Sequence, residues 1–161
     1  RIDAEPTDAY FVARQIADYA KGKAFDLIMM GKESIDNNGA EVPGMVAEML
    51  GVPFISFATK LDIANGVATI TREIDGGAEV LEAPLPIVLS AQKGLAEWRI
   101  ANMRGIMAAR KKPVHVVPPS AVTAKVTLRS YELPAAKQGA KLIDPQQVNE
   151  LVNVLIEKGV I

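Results

Sequence analysis

The sequence predicts an α/β protein: a parallel sheet that carries an antiparallel hairpin, a C-terminal arm and a final helix. Short apolar runs of strand length alternate with segments of helical periodicity, which is typical of βαβ units. The dipeptide Asn65-Gly66, flanked by strand-like segments, favours a type I′ hairpin turn. The 161 residues are 49% hydrophobic and carry a net charge of -1, as expected for one folded domain with extensions.

The first part of the chain has the order helix, strand, loop, helix, strand. From the apolar spacing we expect these four elements, in chain order, at residues 7–20, 25–31, 43–50 and 54–58. Thr7 or Asp8 can cap the first helix, and Gly31 ends the first strand. Pro53 precedes the second strand, where its missing N–H costs least. Because such units close right-handed, the first loop is expected at the carboxyl edge of the sheet.

The middle of the chain changes to an antiparallel pattern around Asn65-Gly66, with a second turn at residues 75–77. The strands of the hairpin and a third short strand are expected at residues 61–64, 67–72 and 80–81. Buried-strand composition then returns twice with a helix in between, in chain order at residues 86–90, 99–110 and 113–117. His115 lies in the last of these runs and is expected to be a structural histidine.

The end of the chain is predicted to be an arm followed by one helix. Pro118-Pro119 ends the compact part, and weak alternation over residues 120–142 indicates an arm. Asp144 as the cap, Pro145 at the first helical position and Gly159 after the last turn predict the helix. Its apolar face comprises Val148, Leu151, Val152 and Leu155.

Composition excludes several classes of function. The sequence has no Cys and a single His, which excludes disulfides, thiolate metal sites and Cys nucleophiles and leaves little basis for a His metal site or a catalytic triad. The near-neutral charge lacks the basic field of a nucleic-acid-binding protein. No apolar run approaches the roughly 20 residues of a membrane span, and no signal segment opens the chain. We expect a soluble, intracellular protein without catalytic or metal-ligating residues.

The best candidate for a ligand site is the polar stretch at residues 31–44, between a predicted strand and a predicted helix. Unpaired N–H groups near Ala40 to Gly44 and the positive end of the helix dipole suit a phosphate, and Lys32 adds a full charge. The spacing matches neither Walker A nor the Rossmann glycine pattern. Glu41 opposes an anion if its carboxylate faces inward. On the residues alone, a phosphate site and a surface loop that uses Gly and Asn for its turns are equally supported.

Two further segments concentrate charge. Residues 72–81 place four charged side chains around a tight turn, and a metal or acid-base role requires the carboxylates to converge. The favoured interpretation is a Gly76-Gly77 turn with solvated charges. Residues 93–112 combine basic side chains with Trp98 and Met103, which suits a docking segment. On the residues alone, a helix with its apolar face in the core is favoured for this segment.

These features together resemble a known family, the β subunit of electron transfer flavoprotein. Three segments, in the same order as in the family, carry the resemblance: residues 31–36 with the following helix, residues 72–77 continuing through Glu79 and Leu81 to residues 86–90, and Glu97-Trp98-Arg99 leading to Gly105-Ile106-Met107. The second segment is close to the family's signature. Similarity extends to the final helix and Gly159-Val160-Ile161. Family members begin well upstream, so we expect this chain to be part of a longer protein.

The resemblance implies a Rossmann-like fold of the adenine nucleotide α-hydrolase type over residues 1–119, and an arm and helix that pack on a partner subunit over residues 120–161. It implies a non-catalytic half of a heterodimer, whose α subunit makes most of the contacts to a redox-active FAD. The β subunit buries a structural AMP, or a second FAD in electron-bifurcating members. The family's nucleotide loop maps onto Gly31, Lys32, Glu33, Ser34, Ile35, Asp36, Asn37, Asn38, Gly39, Ala40, Glu41 and Val42.

The resemblance also places the nucleotide phosphate near the amides of Ala40, Glu41 and Val42. Many members have an amide side chain at the position of Glu41 and a hydroxyl at that of Val42, so backbone amides are the expected donors here. Bifurcating members usually have an acidic residue and a Thr within the positions of Asn37-Asn38-Gly39, so AMP is the preferred ligand.

The family docks acyl-CoA dehydrogenases and other flavin dehydrogenases through a loop whose apolar anchor falls at Met103. Trp98 and Arg99 belong to the same docking segment, although Trp98, Ile100 and Arg104 differ from the usual residues. Electrons then pass to a quinone oxidoreductase and the respiratory chain. The implied location is the cytoplasm, or the mitochondrial matrix in a eukaryote. Two alternatives are a stand-alone adenine-nucleotide-binding protein of the universal stress type and an enzyme of the related fold; the helix start at Val42-Pro43-Gly44-Met45 and the missing catalytic groups oppose them.

Overall fold

The computed structural model describes residues 1–137 and 139–161, so that residue 138 of the predicted arm lies outside the described residues. The chain forms two compact units, Arg1–Leu128 and Arg129–Ile161. The helices of the first unit are α1 (Ala9–Ala20), α2 (Val42–Leu50) and α3 (Met103–Arg110). Its strands are β1 (Leu27–Gly31), β2 (Phe54–Ala64), β3 (Val67–Ile74), β4 (Gly77–Pro84) and β5 (Ile87–Ala91). The second unit contains α4 (Val148–Glu157).

The strands form one mixed sheet in the order β1-β5-β2-β3-β4. Strand β5 pairs in parallel with both β1 and β2, whereas β2, β3 and β4 form an antiparallel meander. The predicted α/β class with its antiparallel appendage is therefore confirmed. The appendage belongs to the same sheet as the parallel part, because β2 is one strand where the sequence indicated two.

A hydrophobic core lies on each face of the sheet, and β5 contributes side chains to both cores. Ile87 and Leu89 pack with Ile55 and Ile70 on one face, where they join the alanines of the meander. Val88, whose side chain alternates to the other face, packs with Val46 of α2 and with α1. A strand that is buried on both faces reads as a continuous apolar run, which is how residues 86–90 are recognised in the sequence.

Several local signals determine where the elements of the first unit begin and end. The Asp8 carboxylate accepts a hydrogen bond of 2.6 Å from the Phe11 amide and caps α1. Gly51, at a φ of 69°, ends α2 in the left-handed conformation. Asn65 and Gly66 have φ angles of 51° and 76°, as a type I′ turn requires. These three predicted boundaries are confirmed.

Two predicted elements of the first unit differ from the structure. Residues 113–117 do not form a buried strand: Val114, His115 and Val116 are exposed, and only Val117 forms an isolated bridge, with Ile2. The segment has the apolar composition of a strand, but Pro113 has no N–H for a ladder, and the segment bonds to Arg1 and Asp3 instead of joining the five-stranded sheet. His115 is therefore not a buried structural histidine.

The helix predicted at residues 99–110 begins later, at Met103. Asn102 determines this start, because its Oδ1 accepts a hydrogen bond of 2.8 Å from the Gly105 amide. No residue of α3 is buried. The favoured interpretation, a helix with its apolar face in the core, is therefore wrong.

In the second unit, α4 ends as predicted but begins elsewhere. Asp144 and Pro145 precede a turn, in which the Asp144 carboxylate accepts from the Gln146 amide at 2.8 Å, and the helix starts only at Val148. At the other end, Gly159 has a φ of 65°, and the Val160 amide donates to the carbonyl of Leu155 at 3.0 Å. This is a Schellman motif, so the predicted glycine stop is confirmed.

Candidate functional site

The predicted nucleotide loop lies at the carboxyl edge of the parallel strands. Strand β1 ends at Gly31 beside Ala91, the last residue of β5, and the loop leaves from this point toward α2. In open α/β sheets this edge is where ligands bind. The fold therefore brings the N-terminus of α2 back to the end of β1, as the sequence pattern indicated.

The loop is shaped by two residues with left-handed backbone. Asn38 and Ala40 have φ angles of 49° and 51°, and alanine rarely adopts this conformation. In the part of the loop that follows β1, the Asn38 amide donates to the Ser34 carbonyl at 2.8 Å, and this hydrogen bond closes a turn. The Ser34 hydroxyl, together with the amides of Asp36 and Asn37, holds the pKa of the Asp36 carboxyl below its ordinary value. The loop is thus held by its own hydrogen bonds.

The N-terminus of α2 is not capped by a side chain. Glu41, the residue before the helix, has helical backbone angles and makes no side-chain capping bond. Pro43 has no N–H, so the amides of Val42 and Gly44 remain as the donors of the first turn that a ligand can use. An uncapped helix start combines free donors with the positive end of the dipole, an arrangement that suits an anion.

One charged side chain stands at each end of the loop, Lys32 after β1 and Glu41 before α2. The Lys32 ammonium lies 2.9 Å from the Glu33 carboxylate and 5.6 Å from the centre of the Phe57 ring. The Glu41 carboxylate folds back over Gly39, because a Cβ on Gly39 would lie 2.9 Å from its Oε1. Lys32 is therefore available to a ligand only in competition with Glu33, and Glu41 places a negative charge near the expected phosphate.

The remaining loop residues are exposed and form a rim rather than a pocket. These residues are Glu33, Ser34, Ile35, Asp36, Asn37 and Asn38. The side chain of Ile35 is 95% exposed and contacts almost nothing in this chain. An apolar side chain in this position is suited to contact with a partner or a ligand.

A second group of polar residues lines a shallow depression of about 450 Å³ on the meander side of this edge. Arg72 donates to Glu79 across the β3–β4 pair and to the Ser56 hydroxyl at 3.1 Å, and Gln92 donates to Glu73 at 2.5 Å. Of the four charges of the predicted turn segment, Arg72 and Glu79 therefore pair with each other, and Glu73 accepts from the neutral Gln92. Among residues 1–137 and 139–161, no group of three His, Asp or Glu side chains is placed to hold a metal.

Sequence reasoning did not find Phe57 and Ser90 as parts of this edge. Phe57 has a φ of 57°, and its amide donates to the Ser90 hydroxyl at 3.0 Å where the β2 pairing shifts register. Ser90 is a polar residue in an otherwise apolar buried strand, and that was the available signal. The left-handed backbone of Phe57 has no signature in the sequence.

The predicted docking residues lie in a separate exposed segment of the first unit. Trp98 and Met103 are 84% and 73% exposed, and Arg99 is also exposed. Trp98 and Arg99 precede α3, and Met103 is its first residue. No hydrogen bond or ion pair among the described residues joins these three side chains to the nucleotide loop. They form an apolar and basic surface of their own.

Comparison with known proteins gives this geometry its context. Residues 3–122 match the electron transfer flavoprotein domain family, which is most of the chain. The chain belongs to the electron transfer flavoprotein family. The predicted resemblance is therefore confirmed, and the matched residues include the predicted nucleotide loop, the meander and α3. Among the described residues, no helix is long and apolar enough to cross a membrane.

Individual members of the electron transfer flavoprotein family align over nearly all of the chain. It is 41% identical over 142 residues to the electron transfer flavoprotein subunit beta of Syntrophomonas wolfei, covering 88% of the chain and 56% of that protein. The subunit beta of Bacillus subtilis is 33% identical, covering 95% of the chain and 63% of that protein. The human subunit beta is 32% identical, covering 98% of the chain and 62% of that protein. The chain thus spans about three fifths of the length of these relatives.

Proposed function

We propose that this chain is part of the β subunit of an electron transfer flavoprotein, a carrier rather than an enzyme. It binds AMP as a structural ligand and docks flavin dehydrogenases, so that an FAD held with the α subunit relays their electrons toward the respiratory chain. The observation that carries this proposal is the uncapped start of α2 at the carboxyl edge of the parallel sheet, in a chain of this family. The FAD supplies the electron-transfer chemistry when bound; this chain supplies binding and docking surfaces.

The residues of the loop fit an adenylate through its phosphate. The amides of Ala40, Glu41 and Val42, together with that of Gly44, are the donors, and Lys32 is the cation nearest in sequence to the start of the loop. The AMP portion of a second FAD would place a phosphate on the same donors, so the loop accommodates both ligands. AMP is preferred because Asn37-Asn38-Gly39 lacks the acidic residue and the Thr that are usual in bifurcating members. A ligand that binds only the folded state stabilises it by mass action.

The test is native mass spectrometry of the full protein purified with its α subunit. We expect one flavin and one AMP per heterodimer. Two flavins and no AMP identify a bifurcating protein and contradict the AMP assignment. A heterodimer with neither AMP nor a second flavin contradicts the nucleotide role of residues 31–42.

Glu41→Gln tests whether the phosphate lies at this helix start. Removing a negative charge at a few ångströms from the phosphate is worth about 1 kcal/mol in a solvated site, so AMP affinity is expected to rise roughly fivefold. Because Glu41 makes no capping bond, the helix should lose little stability. Glu48→Gln, on the same helix and exposed, is the matched control and should leave the affinity unchanged. Calorimetric titration measures both, and equal effects would rule out the site.

Met103→Glu tests the docking role. The exposed Met103 side chain is expected to enter an apolar pocket of the dehydrogenase, where a carboxylate would be desolvated without a partner. Electron transfer from the dehydrogenase should fall at least about tenfold while flavin content stays constant. Val80→Glu on β4, which is 65% exposed, is the control. A Met103 variant with wild-type transfer rates contradicts docking through this residue.

A further inference from the structure

Helix α1 is bonded along one side to a distant segment without regular secondary structure, residues 120–126. Gln15, which is only 5% exposed, donates to the Ser120 carbonyl at 2.9 Å and accepts from the Ser120 amide at 2.8 Å. The Gln15 side chain thus pairs with both the N–H and the C=O of Ser120, as the backbone of a neighbouring strand would. A buried amide side chain with both its ends paired is costly to disrupt.

Asp8 makes the second attachment, and its two oxygens have different tasks. Oδ1 accepts from the Phe11 amide and caps α1, whereas Oδ2 accepts from the amides of Lys125 and Val126 at 2.6 and 2.8 Å. The Lys125 ammonium also lies 5.4 Å from the centre of the Tyr10 ring. In agreement with this geometry, the amide of Phe11 and those of Val126 and Lys125 hold the pKa of Asp8 below its ordinary value against the opposing effect of burial.

The two attachments determine the course of the segment. Asp8 and Gln15 are seven residues apart and therefore lie on one side of α1, about 10 Å apart along its axis. Ser120 bonds to Gln15 and Lys125 bonds to Asp8, so the segment runs antiparallel to the helix. Between these points Val122 and Ala124 are half-buried and their neighbours are exposed, as in a strand laid on a surface. The last clamped residue, Val126, lies two positions before the end of the first unit.

We propose that Asp8 and Gln15 form a two-point clamp that holds residues 120–126 along helix α1 and so preorders this segment of the first unit for contact with the α subunit. That the partner is an α subunit rests on the proposed function. The clamp serves the interaction by ordering residues 120–126 before binding, because a preordered segment loses less conformational entropy when the partner binds. Both residues are positioning residues, since they act through the segment that they hold.

The test separates the clamp from the helix cap. Asp8→Asn keeps one carbonyl oxygen for the cap, and Asn is as good a cap as Asp, but its amide group turns a donor toward the Lys125 and Val126 amides. In the full protein, we expect exchange of these two amides to accelerate at least about tenfold while the amides of α1 keep their protection. Affinity for the α subunit should fall about three- to tenfold.

Gln15→Leu breaks the other attachment, because an apolar side chain of similar size neither donates to the Ser120 carbonyl nor accepts from the Ser120 amide. It is expected to accelerate exchange at Ser120 and, since the two points hold one segment, at Lys125 as well. Asp62→Asn makes the same chemical change as Asp8→Asn, but on the exposed hairpin. It is the control for amide exchange and for affinity for the α subunit. Unchanged exchange at Lys125 and Val126 overturns the clamp, and faster exchange with unchanged α-subunit affinity overturns its positioning role. Failure of the wild-type protein to bind an α subunit overturns the proposed function instead.

Discussion

Asp36 shows how single side chains maintain the nucleotide loop. Its carboxylate accepts from the Ser34 hydroxyl and from the amides of Asp36 and Asn37, which stabilises the ionised form and lowers its pKa. A carboxyl whose pKa is lower in the folded state stabilises the fold above its ordinary pKa. That contribution is lost as the pH falls through the depressed value. The turn of the loop should therefore weaken in acid.

Ser34→Ala tests this arrangement. With the first of its hydrogen bonds removed, the Asp36 carboxyl is expected to titrate at a higher pH, nearer its ordinary value. NMR titration of the side-chain carboxyl carbons measures the shift. Asp18 of α1, whose depressed pKa reflects hydrogen bonds from Arg14 and Ser120 that outweigh burial, is the internal reference and should not move. An unchanged Asp36 pKa contradicts a role for the Ser34 hydroxyl.

At the level of residues, the sequence predicts chemistry better than backbone shape. The sequence predicts that Lys32 and Glu41 are the charges that matter for an anion at this loop; the structure places Lys32 against Glu33 and Glu41 over Gly39. The left-handed conformations of Ala40 and Phe57 could not be predicted, because neither residue type prefers positive φ and tertiary packing must impose it.

At the level of elements, the β2–β3 hairpin depends on its two-residue turn. Asn65 and Gly66 both have positive φ, and Ala64 pairs directly with Val67. Only a type I′ or II′ turn matches the twist of the two strands at this loop length. The turn thus sets the register of the meander and, through β2, its connection to the parallel strands.

Gly66→Ala is expected to lower the free energy of unfolding by about 1 kcal/mol, because a Cβ disfavours the φ of 76° at this position. Urea denaturation measures the change. Gly77→Ala is the matched control: Gly77 does not have a positive φ, and a Cβ there meets nothing within 4 Å. We expect it to be neutral or slightly stabilising. If both variants lose the same free energy, the turn conformation is not the cause.

Elements with their own start and stop signals were predicted more closely than elements whose bounds depend on contacts with distant residues. Helix α1 and the Asn65-Gly66 hairpin have local caps and turn residues, and both formed where expected. Residues 113–117 have strand composition, but a strand also needs a partner strand in register, and this segment bonds only through an isolated bridge to the N-terminal residues. The start of α4 failed for a related reason: Asp144 uses its carboxylate in a turn, so it is not the cap.

At the level of the whole molecule, the two units differ in how they bury apolar surface. The first unit has a core on each face of its sheet, whereas α4 of the second has no buried residue and exposes Val148, Leu151 and Ile156. Exposed apolar side chains repeated along one helix are typical of an interface. This surface fits the proposed contact with an α subunit.

Limited trypsin digestion tests that contact. Arg129 and Lys137 are exposed and lie outside helices and strands, so without the α subunit they should be cleaved before Lys60 or Arg72 of the sheet. In the heterodimer, cleavage at Arg129 and Lys137 is expected to slow at least about tenfold because the arm is covered. Mass spectrometry of the fragments identifies the sites. Equal cleavage rates with and without the α subunit would contradict packing of the arm on that partner.

The shared strand β2 has a further consequence for how the first unit melts. Its first half pairs with β5 and its second half with β3, and both ladders meet at Ala58. Neither ladder can be lost without removing support from the other, so the hairpin and the candidate ligand edge belong to one cooperative folding unit. Heating should therefore melt both in a single transition, and a nucleotide bound at one end of the sheet should raise the melting temperature of the other.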